Sequence, residues 1–427
     1  MESLSRVCSQ KNILIFLYLT IFLLPLTSVG LYATLIPAVL LSAGHMISQK
    51  KTDLVFGPLK WPAAGFLICS FLSVFSSVDT GFSLFNWLFL PLMYAALYVL
   101  VLSYIRTEEE KKRALAVFFA GAVCVILWGC FQYADIGVMT HDLNAQAWVD
   151  PERFPLLKRR MFSTLENPNL FGAYLLMVIS TAVPFFFFDE NRKRKAGLAV
   201  FLAALVICLA LTYSRGAWIS LAAVVAGLAV FYDKRFGLIF LLIPLVLFFY
   251  HGQITERVLS LFSGEDTSVM LRFALWESTV AMIEEHPLLG IGWGSYWLTY
   301  PEYNFFIQEP GVIIFHAHDM YLHITAETGL LGGLSFFAFF FGHGYISWKL
   351  WKEKQGLSRI LGLSGILLCL SAAVNGISDY PLFSRSVSFC FWFLSALCIS
   401  EISGESKKEY KIFFIHKNPG LSNRKNL

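Results

Sequence analysis

Charge is what this sequence lacks. Of its 427 residues only 15% are Asp, Glu, Lys or Arg, whereas a soluble domain carries about a quarter. The deficit runs the whole length, which excludes a soluble globular protein and points to an integral membrane protein. Disordered, coiled-coil and collagen-like chains are excluded as well. Cys-x-x-Cys pairs are also missing. Of the eight cysteines, Cys69, Cys124, Cys130, Cys208, Cys369, Cys390 and Cys398 lie in apolar stretches and Cys8 lies near the start. They read as small apolar residues of lipid-embedded helices rather than as a disulfide framework. No Ala-x-Ala cleavage site follows Lys11 and the apolar run Ile13–Leu24, and further spans do follow. That run is therefore expected to be a retained first helix and not a signal peptide.

Apolar residues make up 57% of the chain, Phe alone numbers 41, and mean hydropathy is +0.63. A bilayer core of about 30 Å needs roughly 20 apolar residues per helix. Twelve stretches meet this: 12–29, 31–48, 61–78, 83–105, 113–133, 168–188, 196–213, 216–232, 236–250, 319–347, 358–375 and 382–400. The ninth is short, and the tenth is long enough to begin outside the membrane. Polar stretches 134–167 and 251–318 interrupt the series. The expected fold is all-α, a polytopic membrane protein of about 12 transmembrane helices with one large external loop. Its expected division is helices 1–9 in residues 1–250, the external loop in 251–318, helices 10–12 in 319–400, and a basic cytoplasmic tail in 401–427.

Short cytoplasmic loops carry an excess of Lys and Arg. With the N-terminus inside, 25 of the 33 basic residues fall on the cytoplasmic side, and the alternation holds through all twelve spans. Both termini are thus expected in the cytoplasm. The two sides differ in kind. The inner set has 17 Lys and 8 Arg, whereas the outer set has one lysine (Lys158) and seven arginines: 153, 159, 160, 215, 257, 272 and 385. Planar, permanently charged arginine suits bidentate binding of phosphate or carboxylate. The outer face is therefore expected to bind an anion, against the alternative that these arginines cap helices or pair with Glu.

Arg215 occupies a connection of about three residues between the seventh and eighth spans. A charge held so close to the apolar zone is a functional candidate, and a snorkelling helix-end arginine is the alternative. In Ser268–Tyr300, mostly apolar residues at 271, 275, 279–280 and 282–283 predict an amphipathic helix ended by Pro287, with Arg272 and Trp276 one turn apart. Gly290, Gly292 and Gly294 follow; without a preceding strand this run is weak evidence for nucleotide binding. Trp293, Tyr296, Trp297 and Tyr300 suit an interface belt or a sugar-stacking surface. The densest polar cluster is His316-Ala317-His318-Asp319-Met320-Tyr321-Leu322-His323, followed by Glu327. It offers a metal site, a general base acting on a hydroxyl, or polar residues at a helix start. Gly329, Gly332 and Gly333 read as close-packing positions. Asn167 and Pro168 suit a helix start, Lys158, Arg159 and Arg160 a solvated charge run or a contact for anionic glycan or lipid headgroup, and Asn375, Asp379 and Arg385 flank the last external turn, where they could line the cavity.

These residues resemble the O-antigen ligase and O-antigen polymerase superfamily of bacterial membrane glycosyltransferases. The ligase signature is His, then Asn, Ser or Gln, nine residues, Gly, two residues, and Gly, Thr or Tyr. Here His318, Gly329 and Gly332 match it, and Asp319 departs from it. The Arg215 turn, the Arg272–Trp276 segment, the Gly-x-Gly-x-Gly loop and the arrangement of spans match as well. The resemblance implies transfer of a glycan from an undecaprenyl pyrophosphate carrier to a hydroxyl acceptor, such as lipid A-core or another surface glycan, on the outer face of the bacterial cytoplasmic (inner) membrane. It implies no nucleotide sugar, no metal and no cofactor, and inversion at the anomeric carbon. By matching position, Arg215 and Arg272 would hold the pyrophosphate and His318 would activate the acceptor, with Trp276, His316 and Asp319 among the substrate-binding residues. Asp319 would either orient His318 or cap the helix. Two alternatives stay open: a polymerase joining lipid-linked repeat units, and, from another class, a transporter or flippase of lipid-linked sugars. Transporters place key polar groups near mid-membrane, whereas here they gather at the outer boundary. Nucleic acid is not an expected partner; membrane lipid is.

Overall fold

The computed structural model describes residues 6–134, 160–165, 167–241, 267–305 and 313–415. Helices and their connections account for all of it, and no strand occurs among the described residues. In chain order the helices are α1 Gln10–Leu23, α2 Ser28–Gln49, α3 Lys60–Ser73, α4 Thr80–Phe89, α5 Pro91–Tyr104, α6 Glu108–Ala134, α7 Pro168–Phe188, α8 Arg192–Leu211, α9 Arg215–Phe231, α10 Thr267–Glu285, α11 Met320–Glu353, α12 Gly356–Ser378 and α13 Arg385–Ile415.

The ends of these helices follow from local chemistry. Ser9, Thr27, Asp79, Asn167 and Asn191 precede α1, α2, α4, α7 and α8, and each accepts a first-turn backbone N–H on its side-chain oxygen. Three glutamates open α6, where the helix dipole favours negative charge. Pro91 has no N–H to continue α4 and stands first in α5, so the fourth expected span is a helix pair, Thr80–Tyr104, with a break at Leu90.

Among the described residues, seven segments are long and apolar enough to cross a bilayer: Ser28–Gln49, Thr80–Tyr104, Glu108–Ala134, Pro168–Phe188, Arg192–Leu211, Met320–Glu353 and Gly356–Ser378. Three shorter apolar helices, Gln10–Leu23, Lys60–Ser76 and Arg215–Phe231, stand at other expected spans, and α13 covers the twelfth. Of the ninth expected span, 236–241 belong to the 3-10 segment Lys234–Leu241 and 242–250 lie outside the described residues. In α7 and α12, 72% of the apolar window is enclosed by protein, against 22% for α2 and 17% for α8. The bundle is therefore built around α7 and α12, with α2 and α8 at its periphery.

One end of the bundle is lysine-rich; there Lys111, almost wholly buried, pairs with Glu401 of α13. At the opposite end Thr164 donates to the Pro25 carbonyl at 2.6 Å, and Arg160 donates through Nε to the Thr212 carbonyl at 2.7 Å. Here the segment after α10 docks into the bundle. Ser76 donates to the Gly290 carbonyl, Ser83 donates to that of Trp293, and the Ser77 and Ser295 hydroxyls bond each other. The Gly-x-Gly-x-Gly run is thus a docking loop. Gly292, at φ +102°, presses so closely on Ser77 that a Cβ would lie 2.5 Å from its Cβ.

Helix α11 breaks at Gly329 (φ 72°, ψ 175°). The Leu330 N–H, deprived of its helical acceptor, donates instead to the Pro287 carbonyl at 2.8 Å. A Cβ on Gly329 would stand 2.2 Å from the Leu288 oxygen, so the position requires glycine for both dihedral and space. Gly329 is therefore a break point and not a helix-packing position. Leu330–Glu353 spans roughly 36 Å at 1.5 Å per residue, enough to cross the bilayer core. The preceding piece, Met320–Thr328, packs instead with α10 and the docking loop, where Leu275, Met282, Ile291, Tyr296, Tyr300, Tyr303 and Ala326 share a small core.

Candidate active site

His318 lies just before α11, with its backbone at φ 50°, a left-handed conformation that costs a non-glycine residue about 1–3 kcal/mol when imposed. Its side chain meets a carboxylate, and that carboxylate is Asp379 at the end of α12. His318 Nδ1 and Asp379 Oδ1 are 3.2 Å apart, with side-chain exposures of 19% and 11%. The Tyr380 N–H donates to the same Oδ1 at 2.8 Å, which fixes the carboxyl group. Burial raises the Asp379 pKa, but the hydrogen bond from His318, the electrostatic influence of the His318 and His316 rings and the charge of Arg272 outweigh it and hold Asp379 well below the usual carboxylate range. An ionised Asp379 can only accept, so His318 donates from Nδ1–H and carries its lone pair on Nε2.

Asp319, the neighbouring acid, has a different task. It precedes α11 and its Oδ1 accepts the Leu322 N–H at 2.8 Å, so it caps the helix. Burial raises its pKa, against the lowering effect of the Leu322 and Tyr321 N–H groups and of His323.

His316 packs against His318 with ring centroids 4.1 Å apart and planes inclined at 57°, and its Nδ1 accepts the His318 N–H at 3.2 Å. Burial, then the neighbouring His318, drive its pKa well below the usual histidine value; Asp379 opposes this, and His323 and Arg272 add to it. His316 is therefore neutral. The ligand atoms of His316, His318 and Asp379 lie within 4.8 Å of one another, close enough to consider a metal. Both Nδ1 atoms are engaged in the hydrogen bonds just described, so a base or a ligand would have to act through Nε2, and the charge of Arg272 opposes a second cation here.

The two candidate arginines reach this place from different elements. Arg272, on α10, acts electrostatically on both His316 and Asp379. Arg215, 8% exposed, opens α9. Next to it, a Cβ on Gly216 would lie 3.0 Å from the Ser378 hydroxyl, which sets the Arg215 turn against the residue preceding Asp379. Arg160 also donates from Nη2 to Asn169 at 2.6 Å, so it braces the Thr212–Ser214 turn; Lys158 and Arg159 lie outside the described residues. Trp276 packs edge-on against Phe273, 5.2 Å between centroids, and its indole nitrogen is buried without a hydrogen-bond partner.

The arrangement brings a half-buried imidazole, its buried carboxylate partner and two arginines to one end of an apolar bundle, a constellation that can accept a proton and stabilise a leaving anion. Residues 198–337 match the O-antigen ligase family. This match covers about a third of the chain and takes in Arg215, Arg272, His318, Gly329 and Gly332. It supports the superfamily resemblance and, together with the apolar helices, a multi-pass bacterial membrane glycosyltransferase of the O-antigen ligase and polymerase type. Such enzymes as a family imply a lipid-linked glycan and a glycan acceptor as partners. No curated protein matches the chain.

Asp379 lies outside the O-antigen ligase match, and the sequence marks it as one of three residues that flank the last external turn and could line the cavity. Its signal was an acid at the outer end of a span, where ionisable groups mark function by default. Nothing in the spacing, 61 residues from His318, joined the two.

Proposed function

We propose that this protein transfers a glycan from an undecaprenyl pyrophosphate carrier to a hydroxyl acceptor on the outer face of the bacterial cytoplasmic membrane, as an O-antigen ligase does. The observation that carries this reading is the His318–Asp379 pair in the electrostatic reach of Arg272. His318 Nε2 takes the proton of the acceptor hydroxyl as its oxygen attacks the anomeric carbon, and Asp379 stabilises the imidazolium that forms. The bond to the carrier phosphate breaks, and Arg215 and Arg272 bind the departing pyrophosphate, whose charge grows in the transition state. Attack from the face opposite the leaving group inverts the anomeric centre. No metal is needed for any of these steps. Trp276, His316 and Asp319 complete the site as a sugar contact, a packing partner of His318 and a helix cap.

The test is reconstitution of the purified protein with a carrier-linked glycan and candidate acceptors, with chelator present. Transfer is expected with wild type and lost by at least about 100-fold with His318→Ala. Full transfer by His318→Ala overturns the base assignment. A product in which glycan is joined to a second carrier-linked unit identifies a polymerase. Movement of intact carrier-linked glycan across the bilayer without transfer identifies a flippase.

A further inference from the structure

The site contains a second histidine–carboxylate pair that the chemistry above does not use. His323 and Glu327 lie one turn apart on the broken-off first part of α11, 1% and 4% exposed, with Nε2 and Oε1 3.4 Å apart. An ionisable pair so deeply buried is costly unless every group is satisfied. It is satisfied in an informative way. His323 Nδ1 accepts the N–H of Ala317 at 3.3 Å. The lone pair is thereby assigned to Nδ1 and the proton to Nε2, which faces Glu327 Oε1. Glu327 Oε1 accepts the Tyr296 N–H at 3.2 Å.

The bond to Ala317 falls on the residue before His318, whose left-handed backbone needs an external hold. The His323 ring stands between those of Tyr380 at 4.6 Å and Tyr296 at 4.8 Å. Tyr380 is the residue whose N–H fixes the Asp379 carboxyl. Tyr296 bonds through its hydroxyl to Thr279 at 2.8 Å, two turns along α10 from Arg272. One imidazole therefore touches the backbone before the base and the residue that fixes its carboxylate, and reaches the helix that carries Arg272 through Tyr296.

We infer that His323, held in one tautomer by Glu327, is a positioning residue that locks the Ala317–His318 backbone and so aims the His318 imidazole. This rests on His318 being the base, as proposed above. A core histidine that merely filled space would be indifferent to which of its nitrogens is imitated. A positioning histidine would not.

The experiment compares two polar replacements in the full-length protein reconstituted in vesicles. His323→Asn places an amide oxygen near the Nδ1 position and keeps the acceptor for Ala317. His323→Gln places its amide near Nε2 and loses that acceptor. His323→Asn is expected to keep kcat within about threefold, and His323→Gln to lower it about 10- to 100-fold with the KM for the carrier-linked donor unchanged, since small misplacements of a catalytic group cost this much. Hydrogen–deuterium exchange of the 313–319 segment should accelerate in His323→Gln and not in His323→Asn, with α12 unchanged in both. Equal kcat values for the two variants overturn the inference, as does unchanged exchange in His323→Gln. Should both variants fail to fold, Glu327→Gln, which keeps an acceptor for His323 and Tyr296, is expected to retain activity, and its inactivation as a folded protein overturns the inference. Exchange is read without any substrate, so failure of the base assignment, seen as full activity in His318→Ala, is distinguishable from failure of the positioning role.

Discussion

Replacing Asp379 with Asn should slow glycan transfer less than replacing it with Ala. Oδ1 of Asp379 accepts from both His318 and the Tyr380 N–H. An Asn side chain can leave its amide oxygen in that place, because the Tyr380 N–H still demands an acceptor there. His318 would then keep its tautomer and lose only the negative charge that stabilises its protonated form. Unit charges about 4 Å apart interact by about 4 kcal/mol at an effective dielectric of 20. The pair is 19% and 11% exposed, so solvent reduces this to roughly 2 kcal/mol, a loss of about 30-fold. Ala removes the acceptor as well, freeing the imidazole to rotate and change tautomer, and roughly 1,000-fold is expected. The assay is initial-rate transfer in proteoliposomes, with protein amount and monodispersity matched. Equal losses for Asn and Ala would refute the idea that Oδ1 orients His318; wild-type rates for Asn would refute the electrostatic role.

Two further outcomes follow from the same geometry. Gly329→Ala meets both a left-handed dihedral and the Leu288 oxygen at 2.2 Å; a destabilisation above about 3 kcal/mol is expected, seen as a lower melting temperature and reduced protein in the membrane, and an unshifted melt would contradict the break at this residue. His316 has its pKa lowered in the fold by burial, so the unfolded chain binds the extra proton as pH falls below about 6.5, and stability is full above that value and declines beneath it. Thermal stability in detergent should fall between pH 7 and 5.5, with a shallower slope in His316→Asn; identical slopes would show that His316 is not responsible.

Much of the scaffold was legible in the sequence because its signals are local. The Asn167 cap, Pro168 at a helix start, the Pro287 stop after α10 and the apolar runs of α2, α6, α7, α8, α11 and α12 depend on neighbours a few residues away, and the structure has them in place. Composition alone determined that the chain is a membrane protein, since an apolar surface of this extent has no other solvent. The His318, Gly329 and Gly332 spacing carried the superfamily. What tertiary structure decided was pairing. The sequence set Asp319 beside His318, but the left-handed backbone at His318 turns the chain between them, and Asp319 accepts the Leu322 N–H to cap α11. Asp379, from another helix, took the place at His318. Likewise Gly329 reads from the sequence as a packing position, whereas in the fold it is a break, and the Pro287 carbonyl takes the Leu330 N–H that a continuous helix would have kept. Helix propensity, caps and hydropathy are written in short segments, whereas a hydrogen bond between side chains 61 residues apart exists only once α11 and α12 have packed.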